Sequence, residues 1–161
     1  MGCFINQDIQ NCLYILNDIE KFYIADYSSL IEVNYDSDNE IIIDIFSNIN
    51  WQRIYFDSVS VQTDYNRVEK LYSTAIKMQI SELENELELF QSNGKRFVIL
   101  FIDYNGNCFA DGVLPYDNGY IIQNINSEIS ETNNFLTFEL NKTSSVNIKQ
   151  IDNNYFTFNN L

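Results

Sequence analysis

Four glutamates at alternate positions form the most unusual charged stretch of this sequence. Glu82, Glu84, Glu86 and Glu88 lie in the segment SELENELELF, residues 81–90, with no lysine or arginine among them. In a helix they form two like-charge pairs spaced i,i+4, close to a C-terminal end that favours cations instead. Carboxylates left unbalanced in this way are suited to bind lysine or arginine side chains of a partner.

Further candidate binding residues combine acidic groups with neighbouring tyrosines. Tyrosine offers a large contact area at low entropic cost and is enriched at binding hot spots. Tyr35 precedes an acidic turn, and other tyrosines adjoin aspartates. The predicted partner-binding residues outside the glutamate stretch are Asp36, Asp38, Asp103, Tyr104, Tyr116 and Asp117.

The residues that most enzymes and metal sites need are missing or scattered. The chain has no histidine, which excludes Ser–His and Cys–His nucleophile pairs and the commonest transition-metal ligand. It lacks glycine-rich phosphate-binding motifs, and its three cysteines, Cys3, Cys12 and Cys108, form no C-x-x-C pair. We therefore expect no catalytic residue, no metal, no cofactor and no enzymatic activity. The odd cysteine count favours a reducing cytoplasm.

The charge balance restricts the class of partner. Among 161 residues, 9 are basic and 23 acidic, a formal net charge of −14. Nucleic acids and anionic membranes require cationic surfaces, so neither is an expected partner. A basic protein is the expected partner, because complementary charge speeds encounter. The oligomeric state does not follow from the sequence.

The apolar spacing predicts two helices. In residues 6–22, Ile9, Cys12, Leu13, Leu16 and Ile19 recur every three or four positions. A longer stripe over residues 64–91 includes Val68, Tyr72, Ile76, Ile80, Leu83 and Leu87, with Asp64 as N-cap.

Alternating or continuous apolar segments predict strands in the remainder. They cover residues 30–35, 40–46, 53–62, 97–102, 108–114, 120–125, 135–140, 145–151 and 155–158, with a loop at 126–134. The unbroken run FVILFI, residues 97–102, indicates a central strand buried on both faces, and Asn105-Gly106 a tight hairpin turn. We predict one α+β domain over residues 1–161: a mostly antiparallel sheet of about six to eight strands with both helices packed on it.

These features favour a small, acidic, cytoplasmic protein-binding inhibitor. The class with the required chemistry is the immunity proteins, which neutralise bacterial toxins; a nuclease toxin has a cationic active site that an acidic protein can occlude. One alternative is an adaptor or structural subunit that buries an apolar surface in a larger complex. Another is a carboxylate-dependent hydrolase, which needs two acids converging in a pocket and a raised pKa.

Overall fold

A computed structural model describes residues 11–16, 18–47, 50–81, 94–129 and 134–161. Over these residues the chain is mostly β-strand, with one 3-10 turn at Tyr27–Ser29 and one short helix, α1, at Asn154–Phe158. The strands are β1 (Asn11–Leu16), β2 (Ile19–Asp26), β3 (Leu30–Asp36), β4 (Ile41–Ser47), β5 (Gln52–Ile54), β6 (Ser58–Asn66), β7 (Leu71–Ile80), β8 (Phe97–Asp103), β9 (Cys108–Asp111), β10 (Ile121–Ile129), β11 (Asn134–Ser144) and β12 (Lys149–Ile151). No helix of the described part is long and apolar enough to cross a bilayer.

The strands form two sheets. The five-stranded sheet has the order β1-β6-β7-β11-β10, and the seven-stranded sheet has the order β3-β4-β12-β9-β8-β2-β5. Neighbouring strands are antiparallel except for β12 and β4, which are parallel. The prediction of an α+β fold with one sheet covered by two helices is therefore wrong, because a second sheet supplies most of the covering surface.

The N-terminal helix predicted for residues 6–22 is wrong within the described residues. Strand β1 pairs with β6 from Asn11, opposite Asn66, to Leu16, opposite Val61, and β2 begins at Ile19. From Cys12 onward, the apolar residues recur every three or four positions because they belong to two separate strands, β1 and β2, with only a short connection between them. The second strand is rich in aromatic and branched residues, which favour strands over helices. Residues 1–10 lie outside the described residues.

The long helix predicted for residues 64–91 is also wrong as far as residue 81. The chain forms β6, a turn and β7, and Val68 in the turn is 80% exposed. A spacing of four is also a multiple of two, so Tyr72, Ile76 and Ile80 lie on one face of a strand as readily as on a helix. Met78, buried between Ile76 and Ile80, supports the period of two. Residues 82–91 lie outside the described residues.

The shorter elements agree with the sequence in part. The predictions for residues 30–35, 40–46 and 97–102 are confirmed as β3, β4 and β8, and the Asn105-Gly106 turn joins β8 to β9. Five predictions were wrong in type or extent: residues 53–62 form two strands, 108–114 are strand only as far as Asp111, 126–129 and 134 belong to strands, 145–151 are strand only at the end, and 155–158 are helical.

Strand β8 is buried on both faces, as its composition predicts. Phe97, Ile99 and Phe101 enter the core between the two sheets, whereas Val98 and Leu100 enter a second core on the opposite face of the seven-stranded sheet. Tyr155 and Phe156 of α1 belong to that second core. Each fully buried aromatic or leucine side chain contributes about 1.5–3 kcal/mol relative to exposure. The buried β8 thus supports a layer on each of its faces.

The inner face of the five-stranded sheet changes from apolar to polar along its strands. Register across β6, β7 and β11 aligns side chains in four rows: Val59, Met78 and Phe138; Val61, Ile76 and Leu140; Thr63, Thr74 and Lys142; Tyr65, Tyr72 and Ser144. The first two rows belong to the inter-sheet core, and all three members of the third row are buried. A lysine therefore lies where a core residue is expected, and tyrosines follow at the sheet end.

Candidate functional site

A buried lysine joins the two sheets. Lys142 Nζ donates to Asp111 Oδ1 at 2.5 Å, to Asp117 Oδ2 at 2.8 Å and to the Val146 carbonyl oxygen at 3.3 Å. The Lys142 side chain is 0% exposed, and those of Asp111 and Asp117 are 1% and 0% exposed. Tyr120, also buried, donates its hydroxyl to Asp111 Oδ2. We call Lys142, Asp111, Asp117 and Tyr120 the buried ion cluster.

The electrostatics of this cluster follow from two carboxylates that share one cation. Burial raises the pKa of Asp117, and the negative charge of Asp111 raises it further, while Lys142 opposes both effects. Burial, together with Asp111, holds the pKa of Tyr120 well above its ordinary value, so the phenol stays protonated and donates. Among the described residues, no buried side-chain polar atom lacks a hydrogen-bond partner. A buried ion pair that is fully satisfied fixes geometry more than it adds stability.

The cluster anchors the loop of residues 112–119. Asp117 is held by Lys142 on its side chain and by the Tyr27 hydroxyl, 2.9 Å from its carbonyl oxygen. Gly119 has a φ of +67°, and a Cβ there would lie 2.8 Å from the Phe97 carbonyl oxygen. Arg96 Nη1 donates to the Asn118 carbonyl at 3.0 Å. The loop is therefore fixed at several points in a conformation that excludes a side chain at residue 119.

This fixed loop presents Tyr116 in an unfavourable backbone conformation. The Asp117 amide donates to the Leu114 carbonyl at 3.0 Å, which closes a turn with Pro115 and Tyr116 in its centre. Tyr116 has a φ of 69°, at the turn position that normally takes glycine. The residue is 92% exposed, so contacts within the chain do little to offset the strain. Strain of this kind concentrates at functional sites.

Tyr116 borders a groove where both sheets end. The groove has a volume of about 480 Å³ and is lined by Tyr35, Glu40, Tyr72, Leu114, Pro115, Tyr116, Ser145, Val146, Asn147 and Lys149. We call it the tyrosine groove. It is continuous with the buried ion cluster, because Val146 accepts from Lys142 and Tyr116 precedes Asp117. The inner tyrosine, Tyr72, packs on Tyr65 with ring centres 4.5 Å apart.

One cation of the chain itself lies in the tyrosine groove. Lys149 Nζ is 3.4 Å from Glu40 Oε1 and 6.0 Å from the centre of the Tyr35 ring. The Lys149 side chain is 19% exposed, whereas that of Glu40 is 72% exposed. Burial raises the pKa of Tyr72, with smaller influences from Tyr65, Lys149 and Glu40. The groove thus combines aromatic surface, a carboxylate and an ammonium.

The β3–β4 hairpin adds carboxylates to the rim of the groove. Asp36 accepts from the Asn39 side chain at 2.7 Å and from the amides of Asp38 and Asn39 at 3.0 and 3.2 Å. These bonds, that of the Asn39 side chain first, lower the pKa of Asp36 below its ordinary value, because they stabilise the ionised carboxylate. Asp36, Asp38 and Glu40 therefore form three negative charges on one turn next to Tyr35.

Among the predicted binding residues that the structure describes, only Tyr116 lines the tyrosine groove. Asp36 and Asp38 lie on the hairpin turn between Tyr35 and Glu40, two residues that do line it. Asp117 is buried beneath it and bonded to Lys142, so its carboxylate is closed to a partner. Glu82, Glu84, Glu86 and Glu88 lie outside the described residues.

Asp103 and Tyr104 lie elsewhere. The buried Asp103 carboxylate accepts from the amides of Asn105 and Asn107 at 2.9 and 2.8 Å and from the Asn107 side chain at 2.8 Å, so it holds the β8–β9 turn. Tyr104 is exposed and borders a separate groove of about 750 Å³. The Asp103 carboxylate thus stabilises the β8–β9 turn. Tyr104 lines a different groove from the one that the β3–β4 hairpin borders.

Sequence reasoning missed Tyr72 and the two lysines, Lys142 and Lys149. Tyr72 was assigned to a helical stripe, and the two lysines were given no role. A usable signal existed for Lys142: it continues the alternation Leu136, Phe138, Leu140 of its strand, which places it on the inner face. No comparable pattern distinguishes Lys149 in the sequence.

The hydrolase alternative requires two accessible acids, and the pair closest to this description is inaccessible. Asp111 and Asp117 share Lys142 and are closed to solvent. Within the described residues, no group of three or more Cys, Asp or Glu side chains is placed to hold a metal ion. The two carboxylates of the cluster are therefore closed to a substrate in this structure.

The tyrosine groove with its acidic hairpin is thus the site at which aromatic surface, charge and backbone strain coincide. Comparisons with protein-family models, curated proteins and solved structures give no match to this chain.

Proposed function

We propose that this protein is a small, acidic, cytoplasmic inhibitor that binds another protein stoichiometrically. Its partner is a basic toxin, such as a nuclease domain, and the protein acts as an immunity protein by covering the toxin's cationic surface. The observation that carries the proposal is that Glu40 and exposed Tyr116 line one groove, with Asp36 and Asp38 on the hairpin turn that ends at Glu40.

The charges and the aromatic rings have different tasks in such a complex. A net charge of −14 attracts a basic partner over long range and accelerates encounter. Carboxylates at a fixed hairpin orient the partner's lysines and arginines at short range. Tyr116 and Tyr35 supply buried contact area once the partner arrives, which is the usual role of a tyrosine hot spot.

The support beneath the groove favours tight binding. The loop that carries Tyr116 is fixed through Asp117, Lys142 and Tyr27 before any partner binds. A surface that is already in its bound conformation loses less entropy on association. The buried ion cluster is therefore proposed as the structural support of the binding surface.

The test compares two variants with the same loss of charge. One replaces the hairpin acids, Asp36→Asn, Asp38→Asn and Glu40→Gln; the matched control replaces exposed acids elsewhere, Asp18→Asn, Glu20→Gln and Asp64→Asn. Proteins captured from the source cell by the unmodified chain are identified, purified and titrated against all three forms by calorimetry and stopped flow.

We expect a one-to-one complex with a basic protein whose association rate falls steeply as salt rises. The hairpin variant should bind at least about 100-fold more weakly, since several charge pairs at about 1–3 kcal/mol each are lost, and the control should stay close to the unmodified protein. Equal weakening in both variants would show that only net charge matters, and a captured partner that is acidic would contradict the proposal.

The alternative of an adaptor or structural subunit is favoured by one apolar surface. Edge strand β3 carries Ile31, which is 71% exposed, beside a groove of about 450 Å³ that Leu30, Val33, Val113 and Leu114 help to line. Exposed apolar surface on an edge strand is typical of subunit contacts. Light scattering of the unmodified chain and of Ile31→Lys distinguishes the two functions, because a subunit contact through β3 gives an oligomer that the lysine dissociates.

A further inference from the structure

The position of Lys149 indicates a cation seat inside the tyrosine groove. Two groups lie beside its ammonium: the Glu40 carboxylate at 3.4 Å and the face of the Tyr35 ring, whose centre is 6.0 Å away. Tyr72 lines the same groove. A carboxylate beside an aromatic face is an arrangement that binds organic cations through an ion pair and a cation–π contact. The chain thus places one of its own 9 basic residues in the groove that its acidic hairpin borders.

We propose that this seat receives an arginine side chain of the partner, and that Lys149 fills it in the free protein until the arginine displaces it. The identity of the partner as a basic protein rests on the function proposed above, but the seat is a property of this chain alone. Lys149 then acts as an internal competitor that lowers the affinity for weakly matched cations.

The geometry favours a guanidinium over an ammonium. Lys149 is 3.4 Å from one carboxylate oxygen of Glu40, and a side chain that is 72% exposed leaves the second oxygen open to another donor. A guanidinium can bond both oxygens at once and stack its plane on a tyrosine ring, which an ammonium cannot do. The groove also has two further rings, Tyr72 and Tyr116, on which such a plane can lie.

Displacement of Lys149 is feasible because its ion pair is open to solvent on the Glu40 side, where the carboxylate side chain is 72% exposed. Attraction to an exposed carboxylate is reduced by solvent and by salt. The aliphatic part of Lys149, in strand β12 next to Ala110, can remain packed while the ammonium turns to solvent. Glu40, freed from Lys149, then pairs with the incoming arginine.

The experiment uses a small probe, so no partner protein is needed. N-acetyl-arginine methylamide, which carries only a guanidinium charge, is titrated into the full chain at constant ionic strength while amide NMR shifts are recorded. N-acetyl-lysine methylamide is the comparison ligand. The key variant is Lys149→Met, which keeps the stem and removes the charge; Lys77→Met, exposed on β7, is matched for net charge.

We expect saturable shifts at Tyr35, Glu40 and Tyr116 with a dissociation constant in the millimolar range, and weaker binding of the lysine probe. If Lys149 leaves the seat free about a fifth of the time, Lys149→Met binds the arginine probe about fivefold more tightly, whereas Lys77→Met does not. Glu40→Gln should weaken binding at least fivefold, and this surface substitution leaves folding intact.

Three results would overturn the seat. These are shifts that spread over all acidic residues without saturation, equal affinities for Lys149→Met and Lys77→Met, or unchanged affinity in Glu40→Gln. Failure of the seat leaves the inhibitor proposal standing if the hairpin variant still loses its partner. Conversely, the result could be that the seat binds the arginine probe while no basic protein is captured from the source cell. That result would refute the inhibitor proposal and leave the seat standing.

Discussion

At the scale of single residues, Tyr116 shows how a local cost indicates a binding role. Its positive φ at a turn position suited to glycine is held in place by bonds on both sides of the residue. A bulky residue with positive φ is uncommon and costs about 1 kcal/mol or more. Because the ring is almost fully exposed, the fold itself gains little from keeping tyrosine there.

Tyr116→Gly is therefore expected to separate stability from binding. Glycine adopts this φ without strain, so the free energy of unfolding should stay the same or rise by up to about 1 kcal/mol. Binding of the basic partner should weaken at least about tenfold, as expected for loss of an aromatic hot spot. Urea denaturation and calorimetry measure the two effects; Tyr104→Gly, a tyrosine at the other groove, is the control.

A single result at this position decides between function and fold. If Tyr116→Gly destabilises the protein markedly, the tyrosine contributes to folding after all, and its strain carries no functional meaning. If the variant is stable and binds the partner normally, Tyr116 lies outside the contact surface.

At the scale of elements, a sequence pattern predicted the structure correctly when it fitted only one kind of element and failed when it fitted two. The run at residues 97–102 has no polar interruption, and burial on both faces is its plainest interpretation. The four-residue spacing of Tyr72, Ile76 and Ile80 fits both a helix and a strand. The helix was predicted because of the helix propensity of the neighbouring residues, and that prediction was wrong. Thr74 and Met78, on the same face, were the residues that distinguished the two.

The groove itself could not be predicted from the sequence. Its lining comes from four separate segments: the β3–β4 hairpin, the start of β7, residues 114–116 and residues 145–149. Only the pairing of strands and the packing of the sheets bring these together. The sequence did indicate that Asp36, Asp38 and Tyr116 belong on a surface, but it gave no reason to place the hairpin and the loop of Tyr116 at one groove.

Lys142 is the element-scale link between the sheets, and removing its charge tests that link. Lys142→Met keeps the apolar stem but leaves Asp111 and Asp117 buried without a cation. We expect the free energy of unfolding at neutral pH to fall by about 3–5 kcal/mol, the usual cost of breaking a buried ion pair from one side. Chemical denaturation measures the change, and Lys77→Met should shift it by less than about 0.5 kcal/mol.

Asp111 and Asp117, the carboxylates that bind Lys142, allow a second test of this contact between the sheets. In Lys142→Met with Asp111→Asn and Asp117→Asn, no uncompensated charge remains, so part of the lost stability should return. The single variant should also gain stability on acidification, because protonation relieves the two buried charges. A Lys142→Met protein as stable as Lys77→Met would show that the cluster does not couple the sheets.

At the scale of the whole molecule, the high content of buried tyrosine makes stability sensitive to alkali. Burial raises the pKa of Tyr23, Tyr72, Tyr120 and Tyr155 above the ordinary value of 10.0. It also raises the pKa of the Cys108 thiol from 9.0 to about 11. For each group, the unfolded chain loses its proton at lower pH than the folded protein does.

The sign of the effect follows from proton linkage. Well below pH 9 both states hold these protons, and the stability is fully present. As pH rises from 9 through 11, the unfolded state ionises first, so the free energy of unfolding falls by at most about 1.4 kcal/mol per pH unit for each group that differs. The loss of stability near pH 9 comes from the Cys108 thiol, and the buried tyrosines add to it above pH 10.

We therefore predict that the unmodified protein loses stability steadily above pH 9, and that Cys108→Ala loses less between pH 9 and pH 10. Urea denaturation followed by circular dichroism at half-unit steps from pH 7 to 11 gives the slope. Because alanine also changes the packing of the buried strand β9, the two proteins differ in stability already at pH 7. The compared quantity is therefore the change in the free energy of unfolding of each protein from its own value at pH 7. Parallel curves for the two proteins would show that the thiol ionises equally in the folded and unfolded states, which its burial under the second core argues against.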